Sequence, residues 1–170
     1  MKRRRFTNEL HTTLRDNAGF SLIELLVVVA VILIIAAIAI PNYMRSKMRA
    51  NEASSVQSLR NIATAELVYS TTYGVDFSST PLQLSGNGIN PDQNNAGLID
   101  ETLASGIKGG YVITYTPLAF DPQGHPSTYS VTADPQVPGT TGTRHYYTDQ
   151  SCVIRWNDNV QAGPTDPPIN

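Results

Sequence analysis

The chain has 170 residues, with 12 Lys+Arg against 14 Asp+Glu, a formal net charge of −2 and one cysteine. With 41% apolar and 15% charged residues it is neither a charge-rich disordered tail nor a uniformly apolar membrane protein, and the charge balance excludes a module that grips a nucleic-acid duplex through a broad basic face. The lone Cys152 can close no intrachain disulfide and build no cysteine metal cage, and it reads as a small, half-buried apolar side chain.

Residues 1–19 read as a basic leader. Lys2-Arg3-Arg4-Arg5 and Arg15 stand against Glu9 and Asp16, a net +3 that leaves −5 on the remaining 151 residues. Such a split fits a targeting piece joined to an acidic mature protein.

From Phe20 to Ile40 there are 21 residues, of which only Ser21 and Glu24 are polar. As a helix rising about 1.5 Å per residue the run spans roughly 31 Å and can cross a bilayer. The branched residues Val27-Val28-Val29 and Ile32-Leu33-Ile34-Ile35 would suit a strand in water, but in lipid a helix is what satisfies the backbone. Five Lys/Arg precede the run, against Arg45, Lys47 and Arg49 just after it, which places the N-terminus in the cytoplasm and residues from Asn42 onward outside. Two rival readings exist. Ala37-Ile38-Ala39 would serve as the end of a cleaved secretory signal, although the apolar stretch exceeds the limit of about 15 residues for such signals and contains a carboxylate. An uncleaved single-pass anchor is the other.

Glu24 weighs on that choice. An ionised carboxylate inside a membrane segment costs on the order of 3 kcal/mol at the bilayer centre, less near the interface, and by default marks function and calls for a partner. Snorkelling to the interface is the bland alternative, since Glu24 lies only about 6 Å into the run by helical rise. Cutting the chain between Gly19 and Phe20 would free an α-amine, largely cationic at neutral pH with a reference pKa of about 7.7–8.0. That amine can pair with Glu24 of a neighbouring subunit, or with Glu24 of its own helix four residues on.

The segment Gly19-Phe20-Ser21-Leu22-Ile23-Glu24-Leu25-Leu26, the unbroken apolar run behind it and Ala36-Ala37-Ile38-Ala39-Ile40-Pro41 resemble the class III signal and first helix of type IV pilins and pseudopilins. The motif is highly specific and covers about the first third of the chain; Ser58-Leu59-Arg60-Asn61 also resembles pilin helices. The resemblance implies a membrane aspartyl prepilin peptidase that cuts after Gly19 and N-methylates Phe20. It implies Glu24 as the residue of subunit registration and assembly, and Pro41 as the point where the helix loosens when subunits pack. Proline removes an i to i−4 bond, which agrees with the last point. The leader is longer than that of many type IVa pilins, and one cysteine cannot close the C-terminal disulfide many of them carry. Packing, an ion or a contact between subunits must therefore pin the C-terminal region.

Of the 12 Gly and 11 Pro, all but Gly19 and Pro41 lie at or beyond Gly74, so a long helix precedes a region of loops and strands. In residues 42–73, Val56, Leu59, Ile62, Ala63 and Tyr69 recur at spacings of three and four, predicting an amphipathic continuation of the helix. As one helix, residues 20–73 would be roughly 80 Å long. Arg45, Lys47, Arg49 and Glu52 read as a solvated or intersubunit face, with phosphate binding or DNA uptake as the sharper alternative. Pro81 to Gly97 reads as a polar connecting loop within residues 74–110, and Leu98 to Ile107 as a short helix. Strands are predicted at Tyr111–Thr116, Thr128–Ala133, Arg144–Thr148 and Cys152–Trp156, with Asp149-Gln150-Ser151 as the turn between the last two. The turn-rich Asp121-Pro122-Gln123-Gly124-His125-Pro126 links two strands and resembles a turn of major pseudopilins. Residues 163–170 read as a mobile or late-ordering tail.

The chemistry of an enzyme is missing. His11 would leave with the leader, and His125 and His145 have no partner at metal-ligand spacing. A triad of a serine with His145 and Asp149 lacks a nucleophile elbow, and Gly106 to Gly110 lacks the phosphate-loop pattern. Asp134, Asp149 and Asp158 could offer oxygens to calcium, as the resemblance to major pseudopilins suggests, yet solvated loop acids are the favoured reading and no EF-hand spacing is present. No metal, cofactor or catalytic residue is expected.

The expected fold is α+β: a long N-terminal helix, apolar in its inner half (20–41) and amphipathic in its outer half (42–73), packed on a small antiparallel sheet of three to four strands within 111–170. The expected function is structural, as a subunit of a type IV pilus that is stored in the inner membrane and polymerises through its N-terminal helix. Its partners would be copies of itself, the prepilin peptidase, a pilus or secretion assembly platform, minor pilins and the inner membrane before assembly, with no nucleic acid as primary partner. A major pseudopilin of a type II secretion system, which would end in a periplasmic pseudopilus, and a minor pilin are alternatives within the family. An anchored, non-polymerising binding domain is the alternative from another class.

Overall fold

The computed structural model describes residues 19–86 and 88–169, so the leader expected at 1–19 lies, but for Gly19, outside the described residues. The first helix, α1, runs Leu22–Tyr73 over 52 residues. Its apolar first half has a window of mean hydropathy 3.3, and no glycine interrupts it. It stops where Gly74, at φ +68°, takes the left-handed conformation and donates its N–H to the Ser70 carbonyl, a glycine helix end that a residue with a Cβ would adopt only under strain. The chain divides into two compact units, Met1–Ile40 and Pro41–Asn170.

In the first unit the described apolar side chains face outward. Leu22, Leu25, Ile32, Leu33 and Ile38 are each 58% to 81% exposed, and Ala36 alone is half-buried.

The second unit is a helix laid on a sheet. Two one-turn helices, α2 (Pro81–Leu84) and α3 (Glu101–Ala104), lead into five strands: β1 (Ile107–Lys108), β2 (Tyr111–Pro117), β3 (Tyr129–Pro135), β4 (His145–Asp149) and β5 (Arg155–Asn157). The strands pair antiparallel in sequence order, β1-β2-β3-β4-β5. Register is set by alternation: Tyr111, Ile113 and Tyr115 on β2 lie opposite Pro135, Ala133 and Val131 on β3, and on β3 every second residue is buried. That face meets Leu59, Ile62, Ala65 and Tyr69 of α1 in one core, which Leu84, Leu103, Tyr146 and Ile154 complete. The three-and-four spacing in the outer half of α1 thus marks its buried stripe.

The expected α+β fold is the observed one, with differences of detail. The sheet has five strands rather than three or four, because the two residues of β1 pair with Tyr111 and Val112. The helix expected over 98–107 shrinks to Glu101–Ala104, since Gly106, at φ +81°, donates to Leu103 and accepts from Ile113, turning the chain into the sheet. The connecting loop contains α2, whose Leu84 is fully buried. Cys152 is exposed rather than half-buried, because it occupies the turn before β5 at φ +58°. The C-terminal tail is not loose: Pro167 accepts from the Trp156 N–H, Ile169 donates to the Ile154 carbonyl, and Ile169 packs against the core.

Candidate functional site

The described part of the N-terminal segment begins with Gly19 and Phe20, both outside α1, and Phe20 is 89% exposed. Ser21 is the residue before the first helical position. Its hydroxyl oxygen accepts from the Ile23 N–H at 3.3 Å, and its own N–H donates to Glu24 Oε2 at 2.8 Å. The Ser21 carbonyl accepts from Leu25 at 3.3 Å. The arrangement is a variant of the capping box in which Glu24 takes the Ser21 N–H while the Ser21 hydroxyl takes the Ile23 N–H rather than that of Glu24, so two N–H groups at the helix start gain acceptors. It also sets the Glu24 carboxylate at the positive end of the helix dipole. Phe20, Ile23, Val27 and Val28 form, with Glu24, a mostly apolar hollow of about 450 Å³. One carboxylate oxygen, Oε1, has no hydrogen-bond partner among the described residues.

Ser21 was not singled out by its sequence position, although Ser-x-x-Glu ahead of an apolar run is itself a helix-start signature. The Gly19–Phe20 bond lies outside the helix. Pro41 lies inside α1, at the boundary of the two units.

Residues 14–40 match the family model described as the prokaryotic N-terminal methylation motif. Three relatives extend that likeness. The type IV major pilin protein of Myxococcus xanthus is 46% identical over 50 residues, covering 29% of this chain and 23% of that protein. A type IV wide pilus major component of Thermus thermophilus is 51% identical over 39 residues, 23% of this chain and 30% of its own. A fimbrial protein of Pseudomonas aeruginosa is 31% identical over 150 residues, covering 67% of this chain and 97% of its own length. The chain belongs to the type IV pilin family. No solved structure matches it significantly.

Pilins are structural proteins rather than enzymes, and the other candidate residues of this pilin have structural surroundings. His145 Nδ1 lies 2.6 Å from Asp134 Oδ1, and Gln161 donates to the other oxygen of Asp134, so His145 does not join Asp149. Asp149 instead accepts from Tyr147 and from the Ser151 N–H. Asp158 pairs with Arg144 at 3.4 Å. The three aspartates considered for calcium are therefore engaged separately, and no cluster of three metal-ligating side chains occurs among the described residues. His125 closes its own turn on Asp121, whose Oδ1 accepts from the Gln123 and His125 N–H groups; those bonds to His125 and Gln123 hold the Asp121 carboxyl below its ordinary range against its desolvation.

On the outer half of α1, Glu52 is not simply part of a solvated face. Its Oε1 accepts from the Thr143 N–H and hydroxyl, each at 3.0 Å, and from the Arg144 N–H, tying the helix to the turn before β4. Arg144 stacks on Trp156, with its guanidinium carbon 4.4 Å from the ring centroid. Glu66, fully buried, was also missed: it accepts from the Ser78 N–H at 2.9 Å and the Ser78 hydroxyl at 2.5 Å. Burial holds its carboxyl above the ordinary value, against the opposing hydrogen bonds of Ser78 and Tyr115. No spacing rule could have found this pair, because Gly74 and its turn separate the partners.

Proposed function

We propose that this pilin is stored in the inner membrane with its N-terminus in the cytoplasm and its head outside, cut after Gly19 and N-methylated at Phe20 by the prepilin peptidase. An assembly platform, with minor pilins, then draws it into a homopolymeric pilus on the cell surface. The observation that carries this reading is Glu24, capped onto the Ser21 N–H at the head of a helix whose first half exposes its apolar side chains and needs cover. Lipid covers them before assembly and other copies afterward, so transfer into the filament changes apolar burial little. What it must supply is register. The freed Phe20 amine and the open oxygen of Glu24 provide a charge pair that only a correct alignment satisfies.

Pro41 has no N–H to donate to the Ala37 carbonyl, so the helix opens most easily there when copies pack. Likeness to a fimbrial protein over 97% of that protein's length favours the pilus over the pseudopilus. The test is Glu24→Ala in the full-length chain. Membrane insertion stays at the wild-type level and the yield of sheared filaments falls by about tenfold or more, as loss of a specifying buried charge pair requires. A normal filament yield overturns the reading.

A further inference from the structure

The second unit carries unpaired charges of opposite sign on two separate surfaces. At the β5 edge, α1 and the C-terminal residues beside β5 enclose a groove of about 460 Å³ that Arg49, Arg60 and Arg144 line, and an adjoining hollow of about 390 Å³ adds Arg45. Two acids share this region, Glu52 and Asp158, and both are engaged: Glu52 by the turn before β4, Asp158 by Arg144. Arg45, Arg49 and Arg60 make no ion pair or side-chain hydrogen bond among the described residues. A second surface, which lines neither hollow, is the reverse. Residues 74–107, which lead through α2 and α3 into β1, contain Asp76, Asp92, Asp100 and Glu101 and no Lys or Arg. Asp100 is neutralised by Lys108 at 2.7 Å. Asp76, Asp92 and Glu101 are exposed without a cationic partner among the described residues.

We infer that the arginine groove at the β5 edge receives the acidic 74–107 face of a second copy of this chain. The inference rests on the polymer reading above and names the contact its heads make. Charge complementarity favours a second copy over a nucleic acid or another polyanion, because the chain beyond residue 19 carries −5 and its own acidic face repels such a ligand. The placement fits too. Opposite charges on two separate surfaces of one chain make a heterologous contact, in which each copy offers its acidic face to the next copy's groove, and contacts of that kind propagate instead of closing into a dimer. The groove thereby adds alignment between heads to the register set by Glu24.

The experiment uses cells producing the full-length chain and measures sheared filaments at low ionic strength. Arg49→Glu with Arg60→Glu places acid against acid. Both side chains are exposed and unpaired, so the fold is retained, and filament yield falls by about tenfold or more. Adding Asp92→Lys and Glu101→Lys to that variant reverses both sides and restores the yield to within about threefold of wild type, the scale of rim charge effects. A normal yield from the first variant overturns the inference, and so does a loss that the reversal does not rescue. Intact filaments that have lost only the capacity to bind added DNA would also overturn it, assigning the groove to nucleic acid. Absence of filaments from the unaltered chain would overturn the polymer reading itself.

Discussion

The carboxylate of Glu66, in the last third of α1, is held by the backbone N–H and the hydroxyl of Ser78, beyond the turn that ends the helix. Tyr115 on β2 closes the same site by donating its hydroxyl to the Ser78 carbonyl at 2.8 Å. One acidic side chain therefore joins the helix, the start of the connecting region and the sheet.

This junction predicts a pH dependence. Burial places the folded-state pKa of Glu66 above its ordinary value of 4.5, with Tyr69, Tyr115 and Tyr129 the titratable groups around it. A raised folded pKa stabilises the fold fully below the unfolded value, and that stabilisation is lost as pH rises through the folded one. The melting temperature of the detergent-solubilised chain, taken as wild type minus Glu66→Gln, should rise as pH drops from neutrality toward the ordinary carboxylate range. At neutral pH Glu66→Gln should match or exceed wild type, whereas Glu66→Ala should cost about 2–4 kcal/mol through its cavity and the orphaned Ser78 donors. A difference that is flat in pH would contradict the argument.

The capping box separates two roles of Glu24. Glutamine at the same position can still receive the Ser21 N–H, since Ser-x-x-Gln caps a helix as Ser-x-x-Glu does, but it carries no charge. Glu24→Gln should therefore insert normally and fail to form filaments as completely as Glu24→Ala. Filaments from Glu24→Gln at the wild-type level would reduce Glu24 to a helix cap.

With its one cysteine free, the chain clasps its tail through Asp166 instead. Its carboxylate accepts from Asn157 Nδ2 at 3.0 Å and the Gly163 N–H at 2.8 Å, and its carbonyl accepts from Arg155 Nη1 at 2.8 Å. Asp166→Ala should destabilise the head by about 1–3 kcal/mol, the cost of leaving such donors without a partner. Limited proteolysis should then cut the tail before any other part of the head. Unchanged protection of the tail would show that Ile169 packing and the backbone bonds of Pro167 and Ile169 secure it without Asp166.

Cys152 should react rapidly with a maleimide in the folded monomer, being exposed in the turn before β5. Its φ of +58° also predicts that Cys152→Gly is stabilising or neutral, by up to about 1 kcal/mol, while Cys152→Val is destabilising. Protection of the thiol until unfolding would place the side chain in the core instead.

Much of the fold is legible locally. The apolar run with its lack of glycine writes the first half of α1, the helical spacing of Leu59, Ile62 and Tyr69, three and then seven residues apart, writes its buried stripe, and alternation writes β2 and β3. What could not be read depends on partners outside the element itself. Ile107 and Lys108 are a strand only because Tyr111 and Val112 turn back on them, and the proline-rich tail is ordered by Asp166 reaching Asn157. Glu66 looked like any polar residue on a helix until Ser78 folded over it. At the N-terminus the motif of Gly19, Phe20 and Glu24 is written in residue types, and Ser21 with Glu24 offers a helix-start signature whose particular bonds, to Ile23 and from Ser21 to Glu24, only the structure gives.

Processing at Gly19–Phe20, followed by polymerisation through the helix behind it, is the proposal from which the others follow. The most direct test is the N-terminal residue and intact mass of the native protein in a fraction sheared from the cell surface. A chain that begins at Phe20 with a methylated amine is the expected outcome. A chain that begins at Met1, or at Ile40 after the Ala37-Ile38-Ala39 site, would contradict it.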